Sequence, residues 1–197
     1  MTVELATLQF DEGAHRYTYG GREVPSVTRI MEEMGVKKAY TGSDFYTLRG
    51  KYLHTATEMY DAGTLDTSTV DPAVQPYLDA YCQFKRIEDV SVEAAEVMVH
   101  HQSLDYAGRF DRLFILGGRP RMVLADLKTS SSAPWHRLQV AAYLLAYGGD
   151  YDGMVLYLRK DGTYKMRFIE SVELAALKAK WIEVVGEYHA KDIDLWK

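Results

Sequence analysis

The stretch at residues 122–129 reads MVLADLKT. A short apolar run that ends in polar residues is typical of a buried β-strand followed by a turn. Side chains alternate across a strand, so Asp126 and Lys128 are predicted to share one face. Carboxylate oxygens suit a hard divalent cation, and a lysine suits a phosphate as a point charge or proton donor. The same Asp-x-Lys pair is also compatible with a solvated ion pair.

A second strand is predicted directly upstream, at residues 106–116, and it leads into a turn at Gly117-Gly118. The two strands should pair as a hairpin. Asp111 lies about seven residues before the turn and Asp126 about eight after it, so their carboxylates fall at similar heights. Adjacent strands lie about 5 Å apart, which lets two carboxylates share a metal ion. Two separate surface acids are the alternative, although an unpaired carboxylate within an apolar strand is costly to bury.

A long helix is predicted at residues 43–63, with Ser43 as its N-cap and Gly63 at its C-terminal end. Gly50 and His54 lie one turn apart on this helix and share a face. Imidazole is a competent metal ligand, and a glycine one turn away lets a phosphate approach. A single histidine on a helix is also compatible with a purely structural role.

A shorter helix is predicted at residues 135–147, after the strand that carries Asp126. Gln139, Tyr143 and Tyr147 are spaced at successive helical turns and form one stripe along it. Taken alone, this stripe is also compatible with a polar and aromatic edge on a packing helix.

These four pieces occur in order along the chain: Gly-x-x-x-His at 50–54, Gly-x-x-Asp at 108–111, Asp-x-Lys at 126–128 and Gln-x-x-x-Tyr at 139–143. With the strands and helices between them, they resemble the RecB-like branch of the PD-(D/E)XK nuclease superfamily. The resemblance covers about half of the chain. Residues 8–28 are also similar to the start of small phage-type exonucleases in this group.

The resemblance implies four metal ligands, three of them side chains and the last a backbone carbonyl: His54, Asp111, Asp126 and Leu127. Lys128 would orient or activate the attacking water. Gln139 and Tyr143 match the residues that position this lysine and the nucleic acid in relatives. Glu96 matches an acidic residue on the strand before the Gly-x-x-Asp segment and joins the catalytic set, although a glutamate on a solvent-facing strand would look the same.

The same resemblance implies a DNA exonuclease that depends on Mg²⁺ or Mn²⁺ and leaves 5′-phosphates. DNA is the expected partner, single-stranded or with free ends. The expected setting is replication, recombination or repair in the cytoplasm of a bacterium or of a phage-infected host. A homo-oligomer, or a recombination or replication partner protein, fits this setting. An exonuclease is favoured over an endonuclease because the chain is small and lacks an added recognition domain.

Two other classes of function stay open. One is a nucleic-acid-binding module without turnover, or a nuclease subunit that is active only with a partner. Loss of a catalytic residue would mark such a module, whereas His54, Asp111, Asp126 and Lys128 are all present. The other is a metalloenzyme that acts on small phosphorylated molecules, for which the sequence offers no glycine-rich nucleotide-binding loop.

The net charge is −5 and the pI is about 5.7, which does not by itself suggest a nucleic-acid partner. Basic residues are nevertheless concentrated from Arg109 to Arg137, where the net charge is +4 while the rest of the chain carries −9. Phosphate contacts require local positive charge beside the metal. Candidate nucleic-acid contacts are Arg49, Lys51, Arg109, Trp135 and Arg137, with the tryptophan available for base stacking. Any one of these arginines is also compatible with an ordinary solvated charge.

A single nuclease domain is expected over residues 1–197, because 47% hydrophobic residues suffice for one sizeable core. The predicted fold class is α/β, with a restriction-endonuclease-like core. It should contain a central mixed sheet flanked by helices, an N-terminal hairpin at residues 7–19 and a C-terminal helix at 171–190. A further helix is predicted to start at Asp71-Pro72 and to reach about Ile87. Cys82 is the only cysteine, so no iron–sulfur cluster is expected. No apolar stretch approaches about 18 residues, so no membrane partner is expected.

Overall fold

The structure is a computed structural model that describes residues 7–38 and 44–194. The predicted N-cap Ser43 lies outside the described residues. The strands are β1 (Leu8–Asp11), β2 (Arg16–Tyr19), β3 (Arg22–Val24), β4 (Val90–His101), β5 (Tyr106–Leu116), β6 (Val123–Lys128), β7 (Asp152–Leu158) and β8 (Tyr164–Ile169). The helices are α1 (Val27–Glu33), α2 (Asp44–Asp61), α3 (Gln75–Ile87), α4 (Pro134–Tyr147) and α5 (Ser171–Asp194), with a short 3₁₀ helix at Thr67–Thr69.

The central sheet has the strand order β4-β5-β6-β7-β8. All neighbouring strands are antiparallel except β6 and β7, which run parallel from the pair Val123–Asp152 to the pair Lys128–Tyr157. A parallel pair requires a crossover connection, and α4 provides it. This crossover places α4 beside the end of β6 that carries Lys128.

Helices cover both faces of the central sheet. One face packs against α1, α4 and α5, where Trp181 is fully buried. The other face packs against α2 and α3, where Tyr81 and Phe84 are fully buried. Strands β5 and β6 are therefore buried on both sides, which explains why they read as continuous apolar runs without alternation. A charged residue inside either strand must find a partner.

A separate antiparallel sheet, β1-β2-β3, is formed by the N-terminal residues. The predicted hairpin is present, and a third strand follows it because Gly20 and Gly21 adopt φ values of 59° and 78° and reverse the chain. The sheet docks on β5, where the Ala107 N–H donates to the Pro25 carbonyl at 2.9 Å. Within the described residues, no helix is both long and apolar enough to span a membrane.

The predicted architecture is confirmed: a mixed sheet flanked by helices, an N-terminal hairpin and a C-terminal helix. One predicted boundary is wrong. Helix α3 begins at Gln75 instead of Asp71-Pro72. The Asp71 side chain accepts a hydrogen bond from the Ala73 N–H at 2.7 Å, which stabilises a turn before the helix.

Candidate active site

Two buried carboxylates face each other across β5 and β6. The antiparallel register pairs Arg112 with Ala125, and Asp111 and Asp126 are the next residues on the two strands. Asp111 is 7% exposed and Asp126 is 3% exposed. Asp111 Oδ2 also accepts a hydrogen bond from the Leu127 N–H at 2.5 Å. The hairpin predicted from the sequence therefore brings these carboxylates together.

Helix α2 adds His54 to this pair. Leu53 and Ala56 are buried against the neighbouring elements and fix the helix in place. The His54 Nδ1 atom lies 3.3 Å from Asp111 Oδ1 and 3.6 Å from Glu96 Oε1. The charge of Asp111 raises the pKa of His54 above its ordinary value, against the opposing effect of burial. The local field at the imidazole therefore favours a positive charge.

Glu96 completes a group of three potential metal ligands. It lies within β4, where its φ of 50° is a left-handed conformation that side chains rarely adopt. Arg109 Nε lies 3.1 Å from Glu96 Oε2, and Arg112 Nη1 lies 3.1 Å from Oε1. Burial alone would raise the pKa of Glu96, but His54 and the two guanidiniums hold it below its ordinary value. Glu96 is therefore kept as a carboxylate.

The ligand cluster, defined as His54, Glu96 and Asp111, fits a divalent cation. One ligating atom from each residue lies within 4.8 Å of the others. Two carboxylates and an imidazole are common ligands of divalent cations in proteins. The resemblance placed Glu96 in the catalytic set. In the structure it lies close to two of the predicted metal ligands, His54 and Asp111. That Asp126 and the Leu127 carbonyl bind the same ion stays a prediction.

Lys128 lies beside the ligand cluster and is held by several groups. Its Nζ atom lies 2.7 Å from Asp126 Oδ2 and 3.0 Å from Gln139 Oε1. Gln139 Nε2 donates in turn to the Tyr143 hydroxyl at 2.7 Å. The Trp135 ring centroid lies 5.4 Å from the same Nζ atom, within reach of a cation–π interaction. The Asp-x-Lys strand and the Gln-x-x-x-Tyr helix thus form one connected chain of side chains.

The ionised form of Asp126 destabilises the folded protein, because its carboxylate is buried. Burial raises its pKa from 3.8 to about 6, with Lys128 opposing the rise and Asp111 adding to it. Its Oδ2 atom makes the ion pair with Lys128 but has no partner in hydrogen-bond geometry. The folded protein therefore binds this proton more tightly than the unfolded chain does. By linkage, the free energy of unfolding falls as the pH rises through this range and stays lower above it.

Asp126→Asn is expected to increase the free energy of unfolding at pH 7.5 by roughly 1–3 kcal/mol, because the amide fills the same space without a buried charge. At pH 3.5 most of the gain should disappear, because the carboxyl group is then neutral in the folded protein and mostly neutral in the unfolded chain. Urea denaturation at pH 7.5 and pH 3.5 measures both values. Destabilisation of similar size at both pH values would contradict the expectation.

Gly108 is required by the close approach of α4 to β5. A Cβ atom added there would lie 2.5 Å from Tyr143 Cε1 and 3.3 Å from Val27 Cγ2. Gly50 on α2 differs, since an added Cβ would meet nothing within 4 Å and would face open space in the cleft. The first glycine therefore serves packing, and the second leaves room beside the ligand cluster.

Gly108→Ala is expected to lower the free energy of unfolding by about 1–3 kcal/mol, because the buried Tyr143 ring must move. Gly50→Ala is the matched control. It should leave stability unchanged or raise it by up to about 1 kcal/mol, because alanine is the better helix former. Equilibrium urea denaturation of both variants checks this pair, and equal losses would show that the two sites do not differ in packing.

The ligand cluster and Lys128 open into a cleft of about 740 Å³. Phe10 of β1 and His15 of the turn between β1 and β2 line one wall, and Tyr46 and Lys51 of α2 line another. Phe10 also packs under the Arg109 guanidinium, whose Cζ atom lies 5.1 Å from the ring centroid. The cleft therefore combines a deep acidic end with cationic and aromatic walls.

The structure places three of the predicted nucleic-acid contacts in the cleft: Lys51, Arg109 and Trp135. Arg49 instead packs on the Tyr77 ring, with its Cζ atom 4.6 Å from the centroid. Arg137 does not line the cleft, because it pairs with Glu173 of α5. The basic stretch of the sequence therefore divides between the cleft and the packing of helices.

Sequence reasoning did not single out Phe10, His15 or Arg112. The two aromatic side chains belong to the N-terminal sheet and reach the cleft only through its docking on β5. Arg112 left a signal in the sequence, because a charged residue inside a continuous apolar run must be paired when it is buried. No local pattern identifies the partner.

No protein-family model matches this sequence, and no curated protein is significantly similar to it. Among solved structures, the chain is similar to the alkaline exonuclease LHK-Exo of Laribacter hongkongensis in complex with dAMP, with 14% identity, a TM-score of 0.44 and coverage of 87% of this chain and 91% of that one. It is also similar to a candidate exonuclease from Eubacterium rectale, with 13% identity, a TM-score of 0.45 and coverage of 85% and 78%.

Proposed function

We propose that this protein is a divalent-metal-dependent nuclease that hydrolyses phosphodiester bonds in DNA. The observation that carries the proposal is a set of acidic, imidazole and ammonium groups that line one cleft, His54, Glu96, Asp111 and Lys128, together with the buried Asp126 that pairs with Lys128. Carboxylates packed this closely are costly to bury without a cation. The combination suits a metal ion and a phosphate bound side by side.

The ligand cluster would hold one Mg²⁺ or Mn²⁺ ion, with Asp126 and the Leu127 carbonyl as further ligands. When bound, the ion lowers the pKa of the attacking water and neutralises charge on the transition state. Asp111 is central to this arrangement, since one of its oxygens faces His54 and the other accepts the Leu127 N–H. Its orientation is therefore set before any ligand arrives.

Lys128 would orient the attacking water and stabilise the phosphate oxygens. An ammonium has three N–H donors. Gln139 Oε1 accepts one of them at 3.0 Å, and Asp126 lies beside the ammonium as an ion-pair partner. A remaining donor would serve the water or a phosphate oxygen. Attack of the water oxygen on phosphorus would form one P–O bond and break the bond to O3′. The water would lose one proton to solvent and O3′ would take one up from solvent, so the products would be a 5′-phosphate and a 3′-hydroxyl.

The dimensions of the cleft support a strand end as substrate. A volume of about 740 Å³ is that of a small-ligand pocket, so one strand would reach the ligand cluster more readily than a duplex. Phe10, Tyr46 and Trp135 offer rings for base stacking, and Lys51 offers charge for the backbone. These features favour an exonuclease. The same volume also suits a small phosphorylated molecule, which is the second candidate substrate.

The finer parts of the proposal follow from the motif resemblance. They are release of 5′-phosphates from DNA ends, action in replication, recombination or repair, and a cytoplasmic setting in a bacterium or a phage-infected host. A homo-oligomer or a partner protein of the same process would fit that setting.

The test is digestion of 5′- and 3′-labelled DNA, single- and double-stranded, linear and circular, with Mg²⁺, Mn²⁺ or EDTA. Metal-dependent loss of linear DNA, with circles spared, would support the exonuclease. Cleavage of circles would support an endonuclease. A mononucleotide and p-nitrophenyl phosphate are assayed in parallel, and turnover of these alone would favour the second candidate. DNA binding without cleavage in any metal would favour a binding module or a partner-dependent subunit.

A further inference from the structure

A fully buried guanidinium, that of Arg112, lies next to the ligand cluster. Arg112 follows Asp111 directly, so its side chain points to the face covered by α2 and α3. Its exposed fraction is 0%. A buried cation costs several kcal/mol unless its hydrogen-bond donors are engaged. Arginine carries five such donors in a rigid planar fork, so the position of its partners becomes tightly constrained.

Arg112 is connected to every residue of the ligand cluster. Its Nη1 atom lies 3.1 Å from Glu96 Oε1 and donates to the Asp111 backbone carbonyl at 2.7 Å. Its Nη2 atom donates to Thr57 Oγ1 at 2.9 Å, and this hydroxyl donates to the His54 carbonyl at 2.9 Å. The three ligand residues belong to α2, β4 and β5. One guanidinium therefore joins the three elements that supply them.

The remaining side of Arg112 is anchored by Asp61. Arg112 Nε donates to Asp61 Oδ2 at 2.9 Å. Asp61 also accepts hydrogen bonds from the Tyr81 hydroxyl at 2.7 Å and from Lys85 Nζ at 2.6 Å. These contacts tie the guanidinium to α2 and α3. Rotation of Arg112 would therefore break hydrogen bonds on several elements at once.

We propose that Arg112 is a positioning residue that holds the ligand cluster in metal-binding geometry. The inference rests on the proposed metal site. Glu96 has a left-handed backbone conformation within a strand, and Arg112 donates a hydrogen bond directly to its carboxylate. Partners that orient metal ligands typically contribute 10–100-fold to metal affinity. A lysine cannot reproduce this role, because its single ammonium lacks the planar fork that reaches Glu96, Thr57 and Asp61 together.

The test is the affinity for Mn²⁺ alone, measured by isothermal titration calorimetry on the full chain, well below the melting temperature. Arg112→Lys is expected to weaken Mn²⁺ binding by about 10–100-fold. Thr57→Val is nearly isosteric and removes only the hydroxyl that links Arg112 to His54. It should weaken binding by about fivefold, the equivalent of one hydrogen bond. Thr57→Ser keeps the hydroxyl and should restore wild-type affinity.

Lys85→Met is the matched control within the same network. Lys85 contacts Asp61 at the far end, and its described polar contacts include no member of the ligand cluster. The variant should lose stability in urea denaturation while its Mn²⁺ affinity stays at the wild-type value. A further readout is the cleavage rate as a function of Mn²⁺ concentration. At saturating Mn²⁺, the Arg112→Lys variant should regain most of the wild-type rate.

The outcomes separate the two proposals. Wild-type affinity in both Arg112→Lys and Thr57→Val would overturn the positioning role and leave the metal site intact. An equal loss of Mn²⁺ affinity in Lys85→Met would also overturn the positioning role. A general destabilisation of the hydrogen-bond network would then explain the weaker Mn²⁺ binding of the Arg112 and Thr57 variants. If Arg112→Lys fails to fold, the comparison of Thr57→Val with Thr57→Ser decides the question. Absence of Mn²⁺ binding by the wild-type protein would refute the proposed metal-dependent function, and the positioning role with it.

Discussion

Lys128→Met is expected to lower the rate of phosphodiester cleavage by about 10³-fold while the protein stays folded. Methionine keeps most of the apolar stem but removes the ammonium that lies 2.7 Å from Asp126 Oδ2 and 3.0 Å from Gln139 Oε1. Asp126 then loses the charge that opposes the rise of its pKa. It should take up a proton, which lets the fold survive. Initial rates on end-labelled linear DNA with Mg²⁺ measure the loss, and circular dichroism checks the fold.

Lys165→Met is the control for this variant. Lys165 is exposed on β8, a strand at the edge of the central sheet, and it does not line the cleft. Its removal should leave the cleavage rate unchanged. Full activity in Lys128→Met would refute the role assigned to that lysine. A similar loss in both variants would indicate damage to the sheet instead of the loss of a catalytic group.

Asp111→Asn is expected to reduce both Mn²⁺ affinity and the cleavage rate by at least about 100-fold, because it removes a charged ligand. Both oxygens of Asp111 are engaged, Oδ1 facing His54 Nδ1 at 3.3 Å and Oδ2 accepting the Leu127 N–H at 2.5 Å. Asparagine offers one oxygen, so its amide NH₂ must face either the imidazole or the backbone donor. Calorimetric titration with Mn²⁺ and cleavage assays on the same samples test both expectations.

Asp152→Asn serves as the matched control. Asp152 also lies in a strand of the central sheet and pairs with an arginine, Arg119, at 3.0 Å, but it stands outside the cleft. Its Mn²⁺ affinity and cleavage rate should equal those of the wild type. Unchanged Mn²⁺ binding in Asp111→Asn would place the metal elsewhere and remove the basis for the proposed mechanism.

Much of the fold was predictable because its key contacts are local or nearly so. The continuous apolar runs of β5 and β6 and the glycine turn between them predict a buried hairpin, and the structure contains it. Strand β3 was not predicted, because three residues are too short to show a period. The start of α3 was also misplaced, since the Asp71 turn and a helix N-terminus use the same residue types.

The site was predictable where regular geometry links its members. Alternation along β6 places Asp126 and Lys128 on one face, and helical spacing places Tyr143 one turn after Gln139. The position of the turn predicts that Asp111 and Asp126 lie at similar heights on adjacent strands, and the pairing of the residues next to them, Arg112 and Ala125, agrees with this. These relations depend on backbone periodicity and on the position of the turn, and both can be inferred from the sequence.

The sequence by itself thus determined which segments form the strands of the central sheet, and which residues lie close together within one strand, one helix and one hairpin. Only the tertiary structure decided that Glu96 stands with His54 and Asp111, that Phe10 reaches the cleft and that Arg137 pairs with Glu173. The physical reason is that these contacts join elements far apart in the chain. Their formation depends on how helices and sheets pack, and side-chain packing between distant elements leaves no periodic signal in the sequence.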